Sequence, residues 1–429
     1  MHFLYVLLVV FLSVWVLGII LYTPKFIAWA YGFRKTPKLK NDKKNRIAIV
    51  VAACREEKCI GKLFESIETQ TYDKDYFDVF LALDSENPKA GDPQLDIARE
   101  TLKTTHFEYD LDVPQGGKGK ALKRIFAKIL KEHPDKYDAY IIIDADNILT
   151  PNYIEEMNNA MVTGADVIIG KKLIKNWESK NKKHRTLTAN LSALTYTGID
   201  TMGNKYKAHK GYALAICGQG VLLTKKYIDT FGGFPFTSLT EDIEININAI
   251  LNDMKQFYYE HAQLYSEEPV EHKEFNKRRY RWLKGYFAAN KAYHKRLVKK
   301  TLGSGKIVKE NLNYMYELYP VFIMIISLAA AILTYLISAI VLTVYGSTFA
   351  TTAWIMFAGF VLLIYLMIAF FNMMLCIEDP DTNKMTLGEK LKVIFVGPFY
   401  TFEYVVILVK VLNKNYKVTW EHVERLDYE

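Results

Sequence analysis

The chain contains Tyr140-Ile141-Ile142-Ile143-Asp144-Ala145-Asp146-Asn147, a run of β-formers that ends in two carboxylates separated by one small residue. Such a run predicts a strand covered on both faces, and open α/β sheets bind ligands outside the carboxyl ends of their strands. Two carboxylates this close repel each other unless a cation lies beside them, and oxygen ligands favour Mg²⁺ or Mn²⁺ over zinc. A solvated turn or cap is the alternative, because Asp is also a common turn residue.

The composition is intermediate between that of a soluble enzyme and that of a transporter. The chain has 429 residues, 50% of them hydrophobic and concentrated at the two ends, so the polar middle is long enough for its own domain. The four cysteines lack C-x-x-C spacing and disulfide density, which favours a reducing cytosol for this middle. The net charge of +8 comes partly from Lys35–Lys44 and Lys273–Lys300, beside apolar stretches, which favours anionic lipid headgroups over nucleic acid.

An uncharged stretch near the start, Phe3–Tyr22, is about long enough to cross a ~30 Å hydrocarbon core. A secretory signal is the alternative, but it would need a basic start and a small-x-small cleavage site. The basic residues that follow place the middle of the chain in the cytoplasm by the positive-inside rule.

A second uncharged stretch, Leu318–Ile377, is broken near its middle by Gly346, Ser347 and Thr348, which predicts a transmembrane hairpin. The last apolar stretch, Val393–Val409, contains Gly397, Pro398 and Glu403. A third span and a re-entrant or interfacial segment therefore both remain open, and the basic tail favours the second.

Strands and helices alternate through the middle of the chain. Arg46–Ala53 is a first predicted strand, a helical pattern begins at Ile60, and Phe77–Leu83 is a second strand that ends at Asp84. Ala165–Gly170 is a further predicted strand. This rhythm predicts an α/β layer with a largely parallel sheet, and Asp84 at its carboxyl edge, although a turn or helix cap also explains that residue.

Two loops that lead into helices carry charged residues. Gly116-Gly117-Lys118-Gly119-Lys120 lacks the Walker A spacing, but its glycines, its lysines and the helix N-terminus favour an anion such as a diphosphate. A flexible basic loop is the alternative. Thr240-Glu241-Asp242 places two acids in a first helical turn, where capping alone could explain them.

The segment Phe275–Phe287 interleaves aromatic residues with arginines, including Arg278, Arg281 and Trp282. Such a helix can lie in the membrane interface or bind a diphosphate. Nucleic-acid binding would need this basic face on a soluble domain, whereas here apolar stretches follow. The preceding segment Trp177–Lys210 gives no assignable chemistry.

Four features thus occur in a fixed order: Asp84, the D-A-D, the T-E-D, and the aromatic-arginine helix before the apolar stretches. From about Ile47 to about Trp420 the sequence resembles the family 2 membrane glycosyltransferases, the group of the cellulose, chitin, hyaluronan and poly-N-acetylglucosamine synthases. The resemblance implies the fold class α/β, with a GT-A (nucleotide-sugar-binding, Rossmann-like) cytosolic domain and N- and C-terminal transmembrane helices. It also implies a nucleotide-sugar donor such as a UDP-sugar, a Mg²⁺ or Mn²⁺ cofactor, and inversion at the anomeric carbon.

The resemblance assigns roles to individual residues. Asp242 is similar to the catalytic base, which takes the proton of the acceptor hydroxyl. Asp146 and Asp144 resemble the metal-binding D-x-D. The residues expected to bind substrate are Asp84 at the nucleoside, Lys118 and Asp144 near the donor, Glu241, Arg278, and Arg281 and Trp282 of the Q-x-x-R-W motif. Arg278 stands at the glutamine position, and because the full motif accompanies processive polymerisation, this departure favours a single transfer.

We therefore expect an inner-membrane, multi-pass hexosyltransferase that extends a polysaccharide at the cytoplasmic face. The alternatives are transfer of one sugar to a lipid-linked acceptor, a non-catalytic membrane scaffold and a sugar-nucleotide pyrophosphorylase. The expected partners are the nucleotide-sugar, the acceptor and membrane lipids, and no nucleic acid; the oligomeric state is open. The expected segments are a span over 1–23, a GT-A domain over 24–270, interface helices over 271–317, a hairpin over 318–377, and a loop, membrane segment and tail over 378–429.

Overall fold

The computed structural model describes residues 30–114, 116–303, 320–413 and 425–426, with scattered positions before residue 17. The predicted first span, Phe3–Tyr22, lies largely outside the described residues.

The strands of the polar middle belong to one mixed sheet. They are β1 Ile47–Ala53, β2 Phe77–Asp84, β3 Phe107–Asp112, β4 Ala139–Asp144, β5 Ile148–Leu149, β6 Val167–Ile174, β7 Val221–Thr224 and β8 Gln256–Ser266. The eight strands have the order β3-β2-β1-β4-β7-β6-β8-β5. β1, β2, β3 and β4 run parallel, whereas β7 is antiparallel to both of its neighbours. β6 and β8 pair parallel to each other and run in the direction of β1 to β4, so β5 and β7 are the two strands that run against the rest, and the prediction of a largely parallel sheet is confirmed.

Helices of the polar middle cover both faces of this sheet. From Ile60 onward the described α-helices are α1 Ile60–Glu68, α2 Pro93–Thr101, α3 Lys118–Glu132, α4 Tyr153–Ala160, α5 Lys175–Glu178, α6 Leu187–Thr197, α7 Lys205–Lys210, α8 Lys225–Phe231, α9 Glu241–Leu251, α10 His272–Leu302, α11 Pro320–Val344, α12 Ala350–Glu378 and α13 Leu387–Leu412. Alternate residues of β1 enter different cores: Ile49 packs with residues of α1 and α4, and Val50 with residues of α3 and α9. Burial on both faces explains why the central strands are almost wholly apolar.

The segment that the sequence left unassigned, Trp177–Lys210, forms α6, a π-helical stretch and α7. Its apolar residues join a small core with Leu375 and Cys376 of α12. Asp379, at the end of α12, is buried and accepts hydrogen bonds from Lys171 and Thr201, both at 2.7 Å. Buried charges are retained where they are paired in this way, so this segment fixes the last helices to the sheet.

The carboxyl-terminal third consists of the apolar helices α11, α12 and α13. Of the described residues, those of α12 and α13 form helices long and apolar enough to cross a membrane. In the most apolar 18-residue part of each helix, only 33% of α12 and 31% of α13 is buried inside the protein. α13 continues through Pro398 without a break, although the sequence favoured a re-entrant or interfacial segment there.

The helix α10 packs closely against the start of α9, because Gly285 leaves room for a neighbouring side chain. A Cβ atom at Gly285 would overlap the side chain of Thr240, the residue that precedes Glu241 and Asp242. Thr240 is itself buried. The glycine therefore determines how closely the aromatic-arginine helix approaches the T-E-D.

We expect Gly285→Ala to lower the free energy of unfolding by about 1–3 kcal/mol, since an overpacked contact must shift. The matched control is Gly388→Ala, at a helical glycine whose added Cβ would meet open space. That change should leave stability unaltered or raise it by up to about 1 kcal/mol. Thermal unfolding of both variants in one detergent makes the comparison, and equal midpoints would contradict the packing argument.

Candidate active site

The predicted carboxylates meet at one edge of the sheet. Ala52 of β1 pairs with Asp144 of β4 on one side and with Ala82 of β2 on the other. The carboxyl ends of these three neighbouring strands therefore lie together. Asp84 ends β2, Asp144 ends β4, and Asp146 follows in the next turn. This is the edge at which open α/β sheets bind ligands.

Lys118 joins three separate segments at this edge. It begins α3, directly after Gly116 and Gly117, which have φ angles of 92° and 106°. Its Nζ contacts Asp144 Oδ1, donates a hydrogen bond of 2.7 Å to the carbonyl of Gly218, and lies 3.6 Å from Glu241 Oε1. Burial opposes the charge on Lys118, but the two carboxylates raise its pKa overall. A basic loop at a helix N-terminus, an acid of the D-A-D and an acid of the T-E-D thus form one cluster.

Asp242 lies in the first turn of α9, against the Gly218 loop. A Cβ atom at Gly218 would lie 3.4 Å from Asp242 Oδ2. Oδ1 accepts a hydrogen bond of 2.8 Å from the backbone N–H of Ile243. Burial raises the pKa of Asp242, while that N–H and the charge of Arg281 act against the rise. A carboxylate with a raised pKa is better matched to accept a proton near neutral pH.

Asp146 contacts a residue from the far end of the chain. Arg425 Nη1 lies 2.7 Å from Asp146 Oδ2, and the same guanidinium binds both carboxylate oxygens of Glu56, at 2.7 and 2.8 Å. Asp146 and Glu56 are only 3% and 7% exposed. Asp146 and Glu56 therefore offer buried oxygen atoms to a positive charge, and carboxylate oxygens are the ligand type that Mg²⁺ and Mn²⁺ prefer.

Asp84 has a cationic partner of its own. Arg124, on α3, lies with Nη2 3.0 Å from Asp84 Oδ1 and with Nε 2.7 Å from Asp110 Oδ2. Burial raises the pKa of Asp84, and Arg124 acts against the rise. The predicted nucleoside contact is thus at the expected edge of the sheet, with one of its oxygens bonded to an arginine.

The three residues predicted on α10 face different partners. Arg278 Nη1 lies 3.5 Å from Oε2 of Glu268, which is buried, and Arg281 Nη1 donates to the carbonyl of Leu239 at 3.3 Å. The ring of Trp282 stands edge-on to that of Tyr196, with centroids 6.0 Å apart. The helix thereby reaches the loop before the T-E-D and an aromatic pair beside it.

Comparison with known families decides the relationship. A model of the glycosyl transferase family group 2 matches residues 140–373, more than half of the chain, and a model of glycosyl transferase family 2 matches residues 48–224. The chain belongs to glycosyl transferase family group 2. A search of curated proteins gave no match to this family 2 sequence.

Solved glycosyltransferases resemble this family 2 chain. The mannosyltransferase PcManGT from Pyrobaculum calidifontis, in complex with GDP-Man and Mn²⁺, aligns with a TM-score of 0.55 at 12% identity and covers 91% of this chain and 99% of its own. S. aureus TarS 1–349 in complex with UDP-GlcNAc aligns with a TM-score of 0.42 at 12% identity, over 85% of this chain and 90% of that one. The first likeness shows that the fold is a mixed α/β fold of the GT-A type.

Several residues of the candidate site were missed in the sequence. They are Glu56, Arg124, Gly218 and Arg425. Glu56 lies in the loop Cys54–Glu57, directly after β1, and Gly218 lies in the loop Cys217–Gly220, directly before β7. Their position next to a strand end could have indicated both residues from the sequence. Arg425 is a single arginine in the tail, and no local pattern indicates its contact with Asp146.

The pKa of Glu241 predicts how the stability of the folded protein depends on pH. Burial raises this pKa from 4.5 to about 7, although Lys118 opposes the rise. The folded state therefore holds a proton that the unfolded state loses, and stability should fall as pH rises from about 4.5 to about 7. Glu241→Gln should remove this fall, so the variant should gain about 1–3 kcal/mol on the wild type across that range.

Thermal unfolding from pH 5 to 8, without donor and with a chelator present, measures this gain. Glu65→Gln, at a carboxylate whose side chain is 61% exposed, controls for the loss of one negative charge. A constant difference between Glu241→Gln and the wild type over the whole range would contradict a raised pKa at Glu241.

Proposed function

We propose that the chain is a membrane-bound, metal-dependent inverting hexosyltransferase. It transfers a sugar from a cytosolic nucleotide-sugar, in the first instance a UDP-sugar, to a growing polysaccharide. The observation that carries the proposal is the contact of Lys118 with both Asp144 and Glu241, directly beside Asp242. Family membership supports the transfer of a sugar.

The donor diphosphate would bind where Lys118 begins α3. The backbone N–H groups at a helix N-terminus and a lysine ammonium together attract a phosphate. The φ angles of Gly116 and Gly117 are open to glycine without strain, which lets this backbone turn into the helix. Lys118 would then exchange part of its contact with Asp144 and Glu241 for the donor, and its charge would stabilise the diphosphate as it leaves.

Asp144 and Asp146 would hold a divalent cation, Mg²⁺ or Mn²⁺. When bound, such a cation neutralises the developing charge of the departing diphosphate. The complex of PcManGT with GDP-Man and Mn²⁺ supports this assignment by analogy of fold.

Asp242 would act as the general base. Inversion requires one in-line displacement, in which the acceptor oxygen attacks the anomeric carbon from the side opposite the diphosphate. The hydroxyl proton passes to a carboxylate of Asp242, held in place by the N–H of Ile243. The nearby Arg281 keeps a fraction of this carboxylate ionised despite its burial.

The membrane setting of the proposal depends on α11, α12 and α13. Large apolar side chains are exposed along these helices, including Ile355, Leu366, Phe399 and Val409. A lipid bilayer would cover such a surface. Trp282, which stands edge-on to the buried Tyr196, would offer an aromatic face to an acceptor sugar.

Transfer of one sugar to a lipid-linked acceptor is the second candidate, and the contact of Arg278 with Glu268 favours it. The charge of Arg278 is neutralised within the protein at the position where processive relatives carry glutamine. Sizing the product from a labelled nucleotide-sugar separates the candidates: a ladder of long products supports polymerisation, and a single-sugar lipid rules it out.

We expect Asp242→Asn to lower turnover by a factor of about 10²–10⁴, with nucleotide binding kept, since only the proton acceptor is lost. Purified protein in detergent is screened for release of UDP and GDP from their sugars, with Mg²⁺ and with Mn²⁺. Asp253→Asn, at an aspartate whose side chain is 75% exposed, is the matched control and should keep wild-type turnover. Unaltered turnover in Asp242→Asn would refute the base assignment, and absence of turnover with every donor would favour the non-catalytic scaffold.

A further inference from the structure

Arg425 places a positive charge beside Asp146, the second acid of the D-A-D. Its guanidinium binds Asp146 Oδ2 at 2.7 Å and forms a two-point contact with Glu56. Next to it, the backbone N–H of Leu426 donates to Glu267 Oε1 at 3.1 Å. Three acids from different parts of the chain thus hold two consecutive tail residues.

The contact offsets the repulsion between two neighbouring carboxylates. Asp146 and Glu56 are nearly excluded from water and are positioned to bind the same group, so they repel each other when both are ionised. A bidentate arginine-carboxylate contact is among the strongest hydrogen-bonded arrangements available to a protein. The Arg425 side chain is only 14% exposed, so this contact also removes the guanidinium from water.

A cation at Asp146 Oδ2 would compete with the guanidinium of Arg425 for the same oxygen atom. A cation such as Mg²⁺ binds carboxylate oxygens at about 2.0–2.1 Å and needs near-ideal geometry around it. A guanidinium already at 2.7 Å from Asp146 Oδ2 would then lie within a few ångströms of the cation, with a like charge. Arg425 and a cation bound at Asp146 Oδ2 would therefore repel each other, so each weakens the binding of the other.

We propose that Arg425 is an internal competitor for the cation site, so that its guanidinium occupies Asp146 until a cation and the donor displace it. The inference rests on the proposed role of Asp146 in binding the cation. The apparent affinity for the cation is then lowered in proportion to the fraction of molecules in which Arg425 has left Asp146. If Arg425 were bound to Asp146 in about 90% of molecules, that affinity would be about tenfold weaker.

The experiment measures binding of Mn²⁺ alone, followed by the electron paramagnetic resonance signal of free Mn²⁺, with full-length protein in detergent and no nucleotide. We expect Arg425→Ala to bind Mn²⁺ at least about fivefold more tightly than the wild type, and Arg425→Lys to lie between them because it cannot form the two-point contact. Arg99→Ala, which removes an arginine whose side chain is 56% exposed on α2, should bind as the wild type does. Asp146→Asn should lose the site and so identifies the binding event.

Equal or weaker Mn²⁺ binding by Arg425→Ala overturns the proposal, and so does absence of Mn²⁺ binding in every variant. If turnover is lost in Arg425→Ala while its Mn²⁺ affinity is unchanged, Arg425 acts on the donor and is not a competitor. The readout requires no sugar donor and no acceptor. It therefore remains valid if the screen of donors or the Asp242→Asn variant contradicts the proposed transferase activity.

Discussion

The ammonium group of Lys118 is the charge on which the arrangement of the candidate site depends. It contacts Asp144 from the end of β4, the carbonyl of Gly218 from the loop before β7, and Glu241 from the start of α9. Without this cation, two partly buried carboxylates would repel each other; the pKa of Asp144, which Lys118 holds below its usual value, would rise, and so would that of Glu241. The ion cluster thus holds together three segments that are far apart in the sequence.

Three other acids near the site also have a cation from the protein beside them. Asp84 has Arg124, Glu268 has Arg278, and Asp146 has Arg425. A donor diphosphate and a cation would enter a site where these acids already have partners. Binding is therefore an exchange of partners, and its free energy is the difference between the new contacts and those that are given up.

The helices of the last third determine the position of this site through a few close contacts. Gly285 of α10 admits the side chain of Thr240, which precedes the T-E-D. Arg279, 1% exposed, lies over the rings of Phe275 and Tyr404 and donates to the carbonyl of Tyr400 on α13. This one buried arginine thus joins α13 to α10, the helix that packs on the T-E-D.

The sequence by itself determined the α/β class, the strands that end at Asp84 and Asp144, and the apolar helices after α10. These are consequences of local periodicity, because a β-branched run forms a strand and a long uncharged run forms a helix wherever they stand in the chain. Only the tertiary structure decided the reversed direction of β5 and β7, the packing of Trp177–Lys210, and the partners of the acids. Arg425 and Asp146 are 279 residues apart, and such a contact is set by how elements pack, which no local pattern of residue types records.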